Sequence, residues 1–187
     1  TRIVFGRGAE EAVGRETAAM ARRVLLHYGG KSVKASGLLD RVRAKLSEAG
    51  VAFEELGGVV PNPRLSLVKE GIALCRKHRL EAILAVGGGS TIDSAKGIAV
   101  GVPYAGDVWD FYTRKATIKE ALPVGVVLTI PAAGSESSGS AVVTNEDGLY
   151  KLDIGSELIR PRFAIMDPGL TMTLPPYQTA CGAADIM

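Results

Sequence analysis

In the run Leu84-Ala85-Val86-Gly87-Gly88-Gly89-Ser90-Thr91-Ile92-Asp93-Ser94-Ala95-Lys96, a buried-type apolar strand gives way to three glycines and then to a helix opening at Ser90. The amino end of a helix leaves backbone N–H groups unpaired and carries partial positive charge, so it attracts anions. Glycines ahead of it let a phosphate approach the backbone closely. The segment therefore reads as a pyrophosphate cradle, and it also satisfies a plain strand-to-helix turn that binds nothing. Ser90 is placed to cap the helix, with Asp93 reaching back to its N–H as in a capping box. Lys96, one turn inside the helix, fits a phosphate contact or a solvated surface position. The spacing matches neither G-x-G-x-x-G nor a P-loop; Gly30-Lys31-Ser32 has Leu25 where a P-loop needs its first glycine.

Working outward, Ile3–Phe5, Arg23–Tyr28, Val51–Leu56, Ala82–Val86, Val124–Ile130, Ala141–Thr144 and Phe163–Met166 read as strands. Apolar positions at helical spacing predict helices over Glu10–Ala21, Leu38–Ala49, Leu65–His78 and Ser90–Val100. Strand–helix alternation through the first hundred residues predicts an α/β fold, a Rossmann-like parallel sheet with helices on both faces. In such sheets ligands collect outside the strand carboxyl ends. Gly29-Gly30, Asn62 and Gly87–Ser90 all follow predicted strands and should gather at that edge.

Composition narrows the function classes. The 187 residues carry 22 basic and 20 acidic side chains and only 5% aromatics, so neither a basic field nor a stacking platform favours nucleic acid. No apolar run is long enough to span a membrane. Cys75 and Cys181 are too few and too far apart for a disulfide framework, which points to a reducing, cytoplasmic setting. The chain enters a strand at once after Thr1 and stops at Met187 inside a predicted helix, so both ends read as cut.

Thr129-Ile130-Pro131-Ala132-Ala133-Gly134-Ser135-Glu136-Ser137-Ser138-Gly139-Ser140 follows an apolar strand with five hydroxyls and a carboxylate among small residues. It suits a polar ligand groove or a solvent loop. No G-x-S-x-G elbow is present, and both histidines, His27 and His78, lie upstream of these serines, so a serine hydrolase of the α/β type is excluded. Two histidines also leave little for a metal site.

Taken together, Ile3-Val4-Phe5-Gly6-Arg7-Gly8, Tyr28-Gly29-Gly30, Gly58–Pro63, Leu84–Lys96, Leu128–Glu136 and Leu174-Pro175-Pro176 with Gly182–Asp185 resemble the amino-terminal part of an iron-containing (group III) alcohol dehydrogenase. Within that family the resemblance is to the NADPH-dependent butanol dehydrogenase and aldehyde reductase branch. It implies a dehydroquinate-synthase-like dinucleotide-binding domain over 1–172 and the first residues of a helical metal-binding domain over 173–187. Gly88, Gly89 and Ser90, with Asp93, would hold the cofactor pyrophosphate. Gly29, Gly30 and Ser32 would lie near the adenosine ribose with Asn62 beside them. Thr129, Ser135 and Ser138 would line the groove, Lys151 would reach the nicotinamide-side ribose, and Thr173 would touch the cofactor.

Asp185 matches the family's first metal ligand, with a histidine expected four residues on. The complete enzyme would use a divalent metal, iron or zinc, to polarise an alcohol or carbonyl oxygen during hydride transfer. The resemblance also implies a homodimer acting on a small alcohol or aldehyde, and a chain that does not turn over alone. No aspartate stands at the end of the second strand, while Lys31 and Lys34 could meet a 2′-phosphate, so NADP is favoured and NAD remains open. A glycerol dehydrogenase or dehydroquinate synthase relative, and a non-catalytic dinucleotide-binding module, are the alternatives.

Overall fold

The computed structural model describes residues 1–187, apart from the side chains of Asp185 and Ile186. In chain order the elements are β1 (Arg2–Phe5), α1 (Val13–Met20), β2 (Arg23–Tyr28), α2 (Lys31–Ala35), α3 (Leu38–Glu48), β3 (Ala52–Leu56), α4 (Leu65–His78), β4 (Ala82–Gly87), α5 (Gly89–Gly101), α6 (Trp109–Tyr112), β5 (Val124–Leu128), β6 (Ser140–Asn145), β7 (Tyr150–Gly155), β8 (Phe163–Met166) and α7 (Pro176–Ile186). Six strands form one wholly parallel sheet in the order β1-β8-β5-β4-β2-β3. The alternation of strands and helices thus produces the expected fold.

β2, β4 and β5 lie in the middle of the sheet and are buried almost throughout, as parallel strands covered on both faces must be. Side chains alternate across the pleat. Val24, Leu26, Ala82, Leu84 and Val86 pack with Leu39, Val42 and Leu46 of α3 on one face. Leu25, Ile83 and Ala85 pack with Val68 and Ile72 of α4 and Ile92 and Ile98 of α5 on the other. Each Val, Leu or Ile among them contributes about 1.5–3 kcal/mol relative to exposure.

The chain leaves β2 for β3 on one side, then returns through α4 to lay β4 on β2's other side. The direction of winding therefore reverses between β2 and β4. Their carboxyl ends open the crevice where open α/β sheets bind ligands.

Several boundaries differ from the sequence reading. The first helix begins as a 3-10 turn over Ala9–Ala12 before α1. The strand from Val124 stops at Leu128, where Thr129 and Ile130 leave the sheet. β7 was not expected; it pairs antiparallel with β6 across the turn after Asn145. β7 is mostly exposed, burying only Ile154 fully, so its alternation is weak in sequence. α7 ends the chain as a largely exposed small-residue helix. Among the described residues no helix is long and apolar enough to cross a membrane.

Candidate functional site

The β4–α5 turn is built by close approach. A Cβ on Gly87 would stand 2.4 Å from Thr91 Oγ1, and one on Gly88 would stand 2.3 Å from Ile130 Cγ2. At Gly87 a Cβ would also meet Thr91 Cβ at 2.7 Å, and at Gly88 it would force Ile130 to move. Gly88 is the N-cap of α5, and the first bonds to its carbonyl come from Thr91 N–H at 3.0 Å and Ile92 N–H at 3.2 Å. The N–H groups of Gly89 and Ser90 therefore precede the helical ladder, at the positive end of a 13-residue helix.

Neighbouring strand ends close around this turn. Gly29 N–H donates to Val86 O at 3.3 Å, and Thr129 N–H donates to Gly87 O at 3.1 Å. A Cβ on Gly29 would meet Thr91 Oγ1 at 3.3 Å, and one on Gly89 would meet Ser135 Oγ at 3.4 Å. From Ile130, which abuts Gly88, a cavity of about 600 Å³ runs past Ser32, Ser36, Arg41, Thr129, Leu170 and Thr173. Among the described residues Arg41 is its one cationic lining residue, and none of them lines it with a carboxylate.

Three expectations at the cradle are corrected. Ser90 does not cap α5: the helix starts one residue earlier than expected, Gly88 takes the cap position, and no side chain caps it. Asp93 consequently lies too deep to reach back to Ser90. Its Oδ2 instead accepts from Val142 N–H at 3.2 Å, tying α5 to β6, and burial holds its carboxyl above the usual range. Lys96 is neither solvated nor free for a phosphate. It is fully buried, and its Nζ donates to Ser135 O at 2.7 Å, Ser140 O at 2.8 Å, Ser138 O at 2.9 Å and Ser138 Oγ at 3.2 Å.

The serine-rich loop is thereby an ordered wall. Ser135 is buried with its hydroxyl beside Gly89, whereas the Ser138 hydroxyl turns toward Lys96. Asn62 is tied to the β6–β7 hairpin: its Oδ1 accepts from Lys151 Nζ at 2.8 Å. The cause is local pairing: Thr144 N–H donates to Pro63 O at 2.8 Å, and Lys151 is the strand partner of Thr144. Ser36, Arg41 and Leu170 line the cavity without having been anticipated; nothing in their spacing marks them.

Of the basic residues after β2, Lys31 and Lys34 are exposed and outside the cavity lining, and Lys34 Nζ sits 5.4 Å from the Tyr28 ring centroid. His27 and His78 are otherwise engaged. His27 is buried between Leu56 O at 2.8 Å and Ser94 Oγ at 2.9 Å, and burial pulls its pKa down to about 4. His78 faces Glu54 at 3.0 Å. Among the described residues no group of three His, Cys, Asp or Glu side chains could hold a metal. The side chain of Asp185, the expected ligand, lies outside the described residues.

A glycine turn at the switch point, with a cavity of about 600 Å³ beyond the neighbouring Ile130, is matched by comparison with known proteins. The family model for iron-containing alcohol dehydrogenases matches residues 1–168. The chain belongs to the iron-containing alcohol dehydrogenase family. It is 48% identical to a probable NADH-dependent butanol dehydrogenase of Bacillus subtilis over 187 residues, all of this chain and 48% of that protein. It is 42% identical to an NADPH-dependent aldehyde reductase of Escherichia coli, over 99% of this chain and 48% of the reductase. The crystal structure of an NADH-dependent butanol dehydrogenase A from Thermotoga maritima superposes with a TM-score of 0.96 at 46% identity, covering 99% of this chain and 47% of that one. This iron-containing alcohol dehydrogenase chain spans about half the length of the curated relatives it matches.

Proposed function

We propose that this chain is the dinucleotide-binding half of an NAD(P)-dependent alcohol dehydrogenase or aldehyde reductase. One observation carries the reading: the Gly88–Ser90 turn is packed so that a Cβ at Gly88 would run into Ile130, offers N–H groups ahead of the helical ladder, and lies next to Ile130, which lines a cavity of about 600 Å³. A pyrophosphate rests on Gly88, Gly89 and Ser90, with Asp93 holding α5 to β6 behind it. One nucleoside enters the cavity past Gly29, Gly30, Ser32, Thr129 and Thr173. Ser135 forms the wall beside the pyrophosphate, and Ser138 supports it from behind. The other nucleoside extends toward the Asn62–Lys151 pair, where Lys151 meets the nicotinamide-side ribose.

Residues 1–172 form the cofactor domain and 173–187 begin a helical domain. Asp185 is one ligand of a divalent metal, iron or zinc. The described residues do not complete that site, so this chain's own share of the reaction is to bind and orient the dinucleotide. The whole enzyme is a cytoplasmic homodimer acting on a small alcohol or aldehyde; Cys75 and Cys181 are unpaired, as a reducing compartment requires. NADP is the preferred cofactor, because the cavity presents the Arg41 guanidinium and no carboxylate. The names of the relatives include both NADH- and NADPH-dependent enzymes.

Titration of NADPH and NADH fluorescence against the protein tests this. Saturable binding of both, tighter for NADPH, is expected. Absence of binding overturns the reading, and tighter NADH binding overturns the cofactor preference alone.

A further inference from the structure

Among the described residues Lys96 is the largest fully buried side chain, and lysine is seldom fully buried without a partner charge. Among the described residues no carboxylate lies within ion-pair distance of it. Its three donors are spent on the main-chain oxygens of Ser135, Ser138 and Ser140 and on the Ser138 hydroxyl. Neutral acceptors satisfy the protons, while the nearest negative charges, Asp93 and Glu136, act on the ammonium only through space, so burying it is costly in a low-dielectric interior.

Helical side chains lean toward the amino end, so Lys96 reaches back along α5 toward the glycine turn. A single residue separates the two. Ser135 receives the ammonium on its carbonyl, while its hydroxyl lies against Gly89. The buried ammonium and the glycine cradle are thus adjacent through Ser135. We propose, resting on the dinucleotide reading, that Lys96 is a positioning residue of that site. Its ammonium clamps the Ser135–Ser140 wall against the glycine turn and supplies the positive charge that the bound pyrophosphate compensates.

The charged groups around Lys96 set the sign of the coupling. Burial pulls its pKa down to about 8; Asp93 on α5 and Glu136 on the loop favour the charged form, and Arg160 opposes it. A bound pyrophosphate adds negative charge and raises that pKa. The dinucleotide therefore binds the protonated form more tightly. Affinity is constant below about pH 8 and falls above it, by up to about tenfold per pH unit. Deprotonation also takes a donor from one of the wall carbonyls.

NADPH dissociation constants between pH 7 and 9.5 test this for the wild-type protein, K96M and K96R. The wild type should lose at least about fivefold in affinity across that range. K96M should bind at least about tenfold more weakly at pH 7 and show no decline above pH 8, and K96R should still bind at pH 9.5. A wild type that binds NADPH with no dependence on pH, or a K96M within twofold of wild type, overturns the role of Lys96 and leaves the dinucleotide reading standing. A wild type that binds no dinucleotide removes both. Should K96M fail to fold, the wild-type profile set against K96R decides, since a purely structural lysine gives two parallel profiles.

Discussion

Two glycine turns in this chain share one local signature, and only one of them is built as a cradle. Gly29-Gly30 and Gly87-Gly88-Gly89 each follow a buried parallel strand and each precede a helix. α5 is 13 residues long and buried along most of its length, so its first turn is fixed and its aligned peptides add up at the cradle. α2 has five residues, of which only Val33 is buried. The surroundings differ in the same sense. Gly88 is enclosed by Ile130, whereas nothing lies within 4 Å of a Cβ built on Gly30. The length of helix behind a glycine turn, and what is packed against the glycines, separate a built anion site from a flexible entrance.

Substituting the two turns gives the widest separation. Gly88→Val should abolish measurable dinucleotide binding, a loss of more than about 100-fold, because its side chain needs the space of Ile130 Cγ2 and the pyrophosphate together. Gly88 has an ordinary φ of −93°, so the effect comes from volume and not from backbone strain. Circular dichroism separates a folded variant from a collapsed one. A folded Gly88→Val that binds NADPH as the wild type does would place the anion elsewhere.

Each turn also has a buried base beneath it, and the two are kept in opposite charge states. Lys96 is surrounded by carbonyl oxygens, which a cation satisfies. His27 has one carbonyl and one hydroxyl, a set that suits neutral imidazole, and burial depresses its pKa to about 4. Depression of a basic group means that the folded state resists protonation while the unfolded chain, near 6.5, accepts it. Stability is therefore complete above about pH 6.5 and is lost as pH falls toward 4, at about 1.4 kcal/mol per unit. His27→Leu should cost about 2–4 kcal/mol at pH 7, since Leu56 O and Ser94 Oγ lose a buried partner. It should also flatten the acid slope. Urea unfolding at pH 7 and pH 5 measures both, and an unchanged slope in the variant would assign the acid sensitivity to other groups.

The sheet, the switch point and the cradle glycines were legible because each rests on a local pattern. Apolar runs make buried strands, and Gly87–Gly89 before a helix makes a turn. What sequence missed depends on contacts made at long range. Lys96 looks like any surface lysine until the Ser135–Ser140 loop folds over it from 39 to 44 residues away. Asn62 is drawn to Lys151 by a hairpin whose second strand carries too little alternation to read. The capping pattern at Ser90 and Asp93 failed by two residues, because Gly88 takes the cap position and its carbonyl already accepts from Thr91 and Ile92 N–H.

The entrance turn should act through its neighbours rather than its glycines. Gly30→Ala is expected to change dinucleotide affinity by less than about threefold, since its Cβ meets open space. Arg41, at the far wall of the same cavity, should matter more and selectively. Its guanidinium is partly exposed and lies 3.6 Å from Glu10, so a phosphate contact there is worth about 1 kcal/mol and not the several of a sealed site. Arg41→Gln should therefore weaken NADPH about fivefold and NADH less than twofold, by fluorescence titration of both cofactors. Equal losses for the two would mean that Arg41 packs against a part the cofactors share. A selective loss on Lys31→Gln in its place would move the 2′-phosphate to the exposed lysine beside Gly30, and the entrance turn would then hold the charge that the cavity wall is here assigned.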